Sequence, residues 1–484
     1  MRTAYDVESV RAAERALMAR LPDGALMQRA AAGLAAACAD LLGKVYGKRV
    51  TLLIGSGDNG GDALYAGARL AKRGAGLTAL LLSPERAHPG GLAALRSAGG
   101  TVLDAEGADA EDRVARADLV LDGIVGIGGK GGLRPRAARL ASLAGESRCL
   151  VVAVDLPSGV DADTGEVRGE AVRADATVTF GAYKPGLLVD PAHAYAGALR
   201  LVDIGLDPGT SSPALEALQH DDVAGLLPRP TGESDKYQRG VVGVVAGSER
   251  YPGAAVLATA GALHGGAGAV RYVGPAADAV IARFPETLVS AGPPSQAGRV
   301  QAWVIGPGLG DDKTGMADVL ASDVPVLIDA DGLRLADPET VRRRRAATVL
   351  TPHAGEAAAL LGCARERVEA ERVSSVRELA SRYGATVLLK GSTTLIASPP
   401  SPDGRAPLRV NSTGTPWLAT AGSGDVLSGL TGSLLAAGLG PLDAASAGAY
   451  LHGLAARASS RNAPISAQDV ASALQTAWRD AATA

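Results

Sequence analysis

Short apolar runs ending in glycine or aspartate, separated by amphipathic stretches, recur along the chain in two series. The first comprises RVTLLIG (49–55), LTALLL (77–82), ADLVLDG (117–123), CLVVAVD (149–155), ATVTFG (176–181) and LRLVDIG (199–205). The second comprises GVVGVVAG (240–247), AVRYVG (269–274), AWVIGPG (302–308), PVLIDAD (325–331), ATVLTPH (347–353) and ATVLLKG (385–391). Runs this short and this apolar are strands buried on both faces, as in parallel sheets covered by helices. The expected fold class is therefore α/β, with two three-layer αβα domains. Residues 6–42 read as a helical pair broken by Pro22-Asp23-Gly24, and helices are expected over 254–264, 354–361, 367–383, 425–437 and 442–459. Between the series the pattern lapses into turn chemistry, from Asp207-Pro208-Gly209 to the run Leu227–Asp235. This predicts a first domain over 1–218, a linker over 219–235 and a second domain over 236–484.

Composition removes several classes. The 63 glycines and 27 prolines have no fixed period, which excludes collagen-like chains. A net charge of −3 lacks the basic footprint of a nucleic-acid binder. Charges or glycines interrupt each apolar stretch before the ~18 residues of a membrane span, and Asp6, Glu8 and Glu14 stand where a signal peptide needs an apolar run. Cys38, Cys149 and Cys363 are scattered and odd in number, which suits reduced thiols in the cytoplasm.

Ligands of open α/β sheets sit beyond the carboxyl ends of the strands. In the first series these ends carry GSGDNGGD (55–62), Asp122-Gly-Ile-Val-Gly126 running into IGGKGGL (127–133), and VDLPSG (154–159). A glycine-rich turn into a helix, predicted to begin near Asp62, offers backbone N–H groups to phosphate; taken alone it is equally a tight turn. Asp155, ending a buried strand, reads as a turn former or as a general acid or base. Asn59, Asp122 and Ser158 offer oxygen at one edge, as hard cations require. In their order, and after the ERALM (14–18) and ALMQRAA (25–31) segments, these motifs resemble the YjeF N-terminal family, the NAD(P)H-hydrate epimerases, over about residues 5–215. The resemblance implies a Rossmann-like domain in which Asp58, Asn59, Gly60, Gly61 and Asp62, with Gly126, Ile127, Gly128, Gly129, Lys130, Gly131 and Gly132, contact the nucleotide. It implies Asp155 as substrate-binding acid/base, and Asn59, Asp122 and Ser158 around a potassium ion. Lys184, in AYKPG (182–186), resembles a recurring family lysine.

In the second series the sharpest motif is NSTGTPWLATAGSGDVLSGL (411–430). The N–H groups of Ala421 to Gly424 would converge at a helix start, an anion hole, with Asp425 placed to take a proton from a substrate hydroxyl. With KYQRG (236–240), VAGSERYPGAA (245–255), GPGLG (306–310), DADGL (329–333), TPHAGE (351–356) and LLKG (388–391), this order resembles the ribokinase-like NAD(P)H-hydrate dehydratases over nearly all of 236–484. The resemblance implies that Ala254, Gly308, His353 and Asp425 contact the hydrate. It also implies that Lys390, Gly391, Ser392, Thr393, Thr394 and Gly424 contact an adenine nucleotide, ADP with Mg²⁺. The implied enzyme is bifunctional, epimerising hydrated NAD(P)H and dehydrating the S form, with small-molecule substrates, no nucleic-acid or membrane partner, and a homo-oligomeric state. A small-molecule kinase beside a non-catalytic N-terminal binding module is the rival reading.

Overall fold

The computed structural model describes residues 1–209, 211–401, 404 and 406–483. The chain divides into one compact unit over Thr3–Ala214 and another made of Met1–Arg2 with Leu215–Ala484.

The strands of the first unit are β2 (Arg49–Ile54), β3 (Gly76–Leu81), β4 (Thr101–Asp104), β5 (Leu119–Gly123), β6 (Leu150–Val154), β7 (Ala176–Phe180) and β8 (Ala198–Val202), after a short β1 (Arg2–Ala4) that opens the chain. They form a parallel seven-stranded sheet in the order β4-β3-β2-β5-β6-β7-β8. The order reverses at β2, whose neighbours β3 and β5 are reached in opposite directions. Gly55 follows β2, and a Cβ there would stand 1.9 Å from the Ile124 carbonyl, so only glycine lets these two strand ends meet. The helix beyond begins at Asp58, not near Asp62 as expected: Gly57, at φ +107°, completes the turn at once and puts the motif's amides in the first helical turn. Helix Ala25–Leu42 is long and apolar enough to cross a membrane by length and composition. Here Ala31, Leu34 and Cys38 along it are wholly buried in the core beside Leu52 and Ile54.

The second unit holds β9 (Leu215–Ala217), β10 (Val241–Val245), β11 (Ala269–Val273), β12 (Leu288–Ser290), β13 (Ala302–Ile305), β14 (Val326–Ile328), β15 (Thr348–Leu350), β16 (Thr386–Leu389), β17 (Thr394–Ala397) and β18 (Leu408–Asn411). The sheet order is β1-β9-β18-β17-β16-β15-β14-β13-β10-β11-β12. It is parallel from β12 to β16 and turns antiparallel at β16–β17 and β17–β18. Helix Ser423–Ala436 packs on helix Pro252–His264. A Cβ on Gly429 would lie 1.9 Å from the Ala258 carbonyl, and one on Gly261 2.1 Å from the Val426 carbonyl. The two backbones touch through glycine, and that contact fixes where the Asp425 turn stands.

The stretch 219–235 is not a plain linker. Helix His220–Leu226 is capped by a reciprocal Gln219–Asp222 box, and Leu218, Val223 and Leu227 join the second unit's core. Apolar side chains one helical turn apart, amid the prolines, draw this segment into the second unit, so the turn-rich join lies before Leu215.

Candidate active sites

In the first unit, Asp155 follows β6 in the left-handed region, at φ +65°, a conformation uncommon for a residue with a side chain. Its Oδ1 accepts from the Thr179 hydroxyl at 3.0 Å, the Phe180 amide at 3.2 Å and the Lys184 ammonium. Lys184 is 1% exposed and also donates to Thr179 Oγ1 at 3.0 Å and to the Phe180 carbonyl at 3.2 Å. Two more carboxyls, Glu14 and Asp62, face the pair, with Asp58 near them. Burial, reinforced by Asp155, Asp58 and Glu14, pushes Asp62 well above the usual carboxylate range. Glu14 is also raised, chiefly by burial, against the pull of Lys184. Asp62 Oδ1 and Asn59 Nδ2 are buried without a hydrogen-bond partner among the described residues, polar atoms left for a ligand. Glu14 and Lys184 complete the site: Lys184 stood in the AYKPG segment and Glu14 in ERALM, but neither was legible there as a partner of Asp155.

Asp122 is fully buried at the end of β5, and its Oδ1 and Oδ2 accept from the Ser158 hydroxyl (2.7 Å) and amide (2.8 Å). Ser158 Oγ also meets the Val125 amide at 2.9 Å. A Cβ on Gly126 would stand 3.1 Å from Asn59 Oδ1, so the 126–132 loop begins on Asn59. Burial raises Asp122 to about 6 despite these bonds. One buried carboxylate among neutral oxygens suits a hard ion of low charge, and the described residues hold no cluster of three His, Cys, Asp or Glu side chains that would hold a metal.

In the second unit, Asp425 lies in the first turn of helix Ser423–Ala436. Burial, then the charge of Asp329, raises it to about 7, and Lys390 acts against them. Asp329, buried beyond β14, accepts from Lys390 Nζ at 2.8 Å and from Ser428 Oγ at 2.7 Å. Lys390 also lies 3.7 Å from Glu356, and a Cβ on Gly424 would be 3.4 Å from its Nζ. Asp425, Gly424 and Lys390 therefore share one place. The Ser423 amide turns back to Thr420 at 3.4 Å, so this one amide of the expected anion hole is engaged within the chain. Behind the turn, buried His452 donates from Nε2 to the Ser423 carbonyl at 2.9 Å, and burial holds its pKa down at about 4. Ala254 and Gly308 also adjoin: a Cβ on Gly308 would lie 2.8 Å from that of Ala254.

His353 is half-exposed and caps helix Ala354–Leu361, its Nδ1 accepting from Gly355 (3.0 Å) and Glu356 (3.2 Å), with Nε2 3.5 Å from Glu356 Oε1. The 390–394 loop rests on buried Arg372, which donates to the Leu389 and Lys390 carbonyls at 3.3 Å and to that of Thr393 at 2.9 Å. Thr393 is 1% exposed and turns into the fold, whereas Gly391 and Ser392 are exposed. Asp329 and Glu356 stood in the recognised DADGL and TPHAGE motifs, but their role as partners of Lys390 was not legible there.

Residues 242–476 match the NAD(P)H-hydrate dehydratase family, and residues 23–186 match the YjeF-related protein N-terminus. The bifunctional NAD(P)H-hydrate repair enzyme Nnr of Mycobacterium leprae is 49% identical over 493 residues, covering 99% of both chains. The chain belongs to the bifunctional NAD(P)H-hydrate repair enzymes. The enzyme of that name from Mycobacterium tuberculosis is 50% identical over 450 residues, 91% of this chain and 90% of the relative. The crystal structure of an ADP/ATP-dependent NAD(P)H-hydrate dehydratase from Bacillus subtilis, co-crystallized with ATP/Mg²⁺, is 28% identical with a TM-score of 0.49, over 54% of this chain and 97% of that one. In this member of the repair family each matched region holds one of the two buried carboxylate sites.

Proposed function

We propose that the first unit interconverts the R and S hydrates of NADH and NADPH, and that the second removes water from the S hydrate at the expense of ADP. The observation that carries this reading is Asp425: a buried carboxylate raised to about 7, at a helix N-terminus beside glycine amides and Lys390. Hydroxide leaves poorly at neutral pH. Asp425, near half-ionised there, takes the proton from the C6 hydroxyl as the nucleotide's phosphoryl group is transferred to that oxygen. The ring-nitrogen lone pair then expels phosphate, and the resulting iminium cation loses its C5 proton to restore the C5=C6 bond of the dihydronicotinamide, leaving AMP and phosphate. Magnesium enters with the nucleotide substrate; Lys390 and the Gly422–Gly424 turn meet the phosphates.

In the first unit the C6 hydroxyl leaves as water, giving a nitrogen-stabilised cation, and water returns to the other face. Asp155 moves the proton, and the Lys184 ammonium, which donates to its Oδ1, positions it. Asn59, Asp122, Ser158 and the Val125 carbonyl are the residues that would hold potassium, whose charge offsets that of Asp122 beside the 126–132 loop. The buried Cys38 thiol, pushed up to about 12 by desolvation, is in keeping with a reducing compartment.

The test mixes the full chain with R/S-hydrated NADH and Mg²⁺, with ADP or ATP in separate reactions. Recovery of both epimers as near-ultraviolet absorbance, with free phosphate, is the expected result, faster with ADP. A stable phosphoester product and no NADH would overturn the reading in favour of a small-molecule kinase.

A further inference from the structure

A cavity of about 760 Å³ opens in the first unit beside the reactive carboxylates rather than on them. Gly55 and Ser56 after β2, Leu82, Ser83 and Arg86 after β3, and Ile124 and Val125 after β5 line it. It therefore stands over the point where the strand order reverses, the crevice in which doubly wound sheets take nucleotides. Asp155 ends β6, three strand spacings from β3, ~14 Å along the sheet edge. A dinucleotide with its nicotinamide at Asp155 has its adenosine end to place, and the cavity lies in that direction.

The wall is basic. Arg86, Lys130, Arg134, Arg136 and Arg139 line it against one carboxylate, Glu106. Arg136 and Arg139 are engaged by Glu111 at 2.9 and 3.0 Å, and Arg136 also lies 3.8 Å from Glu106. The guanidinium groups of Arg86 and Arg134 form no hydrogen bond or ion pair among the described residues. In dinucleotide sites of this topology, the strand beside the glycine-loop strand ends at the adenosine ribose. An acid there accepts from the 2′-hydroxyl, whereas an arginine accommodates a 2′-phosphate. That strand is β3, and beyond its end Ser83 and Arg86 face the cavity while Glu85 does not line it.

We propose that Arg86 and Arg134, with Ser83, form a subsite for the adenosine 2′-phosphate, so that the epimerase unit prefers hydrated NADPH to hydrated NADH. The inference rests on the epimerase reading and names its substrate preference. Both arginines are exposed, so the preference is moderate and falls as salt rises.

Without ADP or ATP the second unit has no phosphoryl donor, and R-to-S interconversion is read alone by chromatography on the full chain. The wild type is expected to favour hydrated NADPH by about fivefold or more in kcat/KM at low salt, through KM. Arg86→Ala/Arg134→Ala should remove most of that preference, with the loss confined to the 2′-phosphorylated substrate. Calorimetric titration with NADP⁺ and with NAD⁺ reads the subsite without catalysis, as an affinity difference that the double variant lacks. Equal wild-type efficiency on the two hydrates, or equal losses on both in the double variant, overturns the proposal. A wild type that binds NADP⁺ preferentially in an Arg86- and Arg134-dependent way yet epimerises neither hydrate overturns the epimerase reading and leaves the subsite standing.

Discussion

Replacing Lys184 by methionine keeps the length of the side chain and removes its charge, so it isolates what the buried ammonium does. Lys184 is 1% exposed, and its ammonium donates to Asp155, Thr179 and the Phe180 carbonyl. Breaking a buried ion pair from one side costs about 3–5 kcal/mol, because the other charge stays behind. Asp155 keeps the Thr179 hydroxyl at 3.0 Å and the Phe180 amide at 3.2 Å, which argues for the lower end, about 3 kcal/mol. For a domain of this size that is a drop of about 6–12 °C in Tm. The three tryptophans, Trp303, Trp417 and Trp478, all lie in the second unit. Tryptophan fluorescence therefore serves as an internal control, while circular dichroism reports the first unit's transition. The decisive measurement is the double-mutant cycle with Asp155→Asn. With both charges gone, Asp155→Asn/Lys184→Met should be clearly more stable than the sum of the single variants implies, by about 2 kcal/mol. Additive effects, or a Lys184→Met protein within about 1 kcal/mol of wild type, would refute the argument that Lys184 and Asp155 form a coupled buried pair.

Asp425 supplies two further tests. Its ionised form is the base, so the dehydratase kcat/KM profile should rise with pH to a plateau above its pKa of about 7; a flat profile from pH 5.5 to 8 would exclude this role. For stability the sign runs the other way. The folded-state pKa is raised above the unfolded value of 3.8, so stability is full at low pH and lost as pH rises from about 4 to about 7. Asp425→Asn should therefore abolish dehydration while raising the second unit's Tm at pH 8, measured by calorimetry. Gly429→Ala drives a methyl into the Ala258 carbonyl and should cost about 1–3 kcal/mol, read as an earlier fluorescence transition in urea. Epimerisation should be faster in KCl than in tetramethylammonium chloride, and Asp122→Asn, which removes the charge a cation would balance, should abolish that difference.

The α/β alternation, both glycine turns and the carboxylates Asp155 and Asp425 were legible in the sequence, because strands buried on both faces leave continuous apolar runs and turns at strand ends demand glycine. The short strands β1, β4, β9, β12, β17 and β18 were not anticipated, since three- or four-residue runs carry little periodicity and owe their place to their neighbours in the sheet. The helix His220–Leu226 was hidden by the prolines around it. Partnership was the larger omission. Lys184 lies 29 residues from Asp155, and Lys390 61 from Asp329, separations that sheet topology closes and no local pattern records. The sequence by itself thus determined where strands end and which chemical groups stand there. Tertiary structure alone decided which cation faces which carboxylate and which acids are driven out of water, because burial and charge coupling depend on distances in space rather than along the chain.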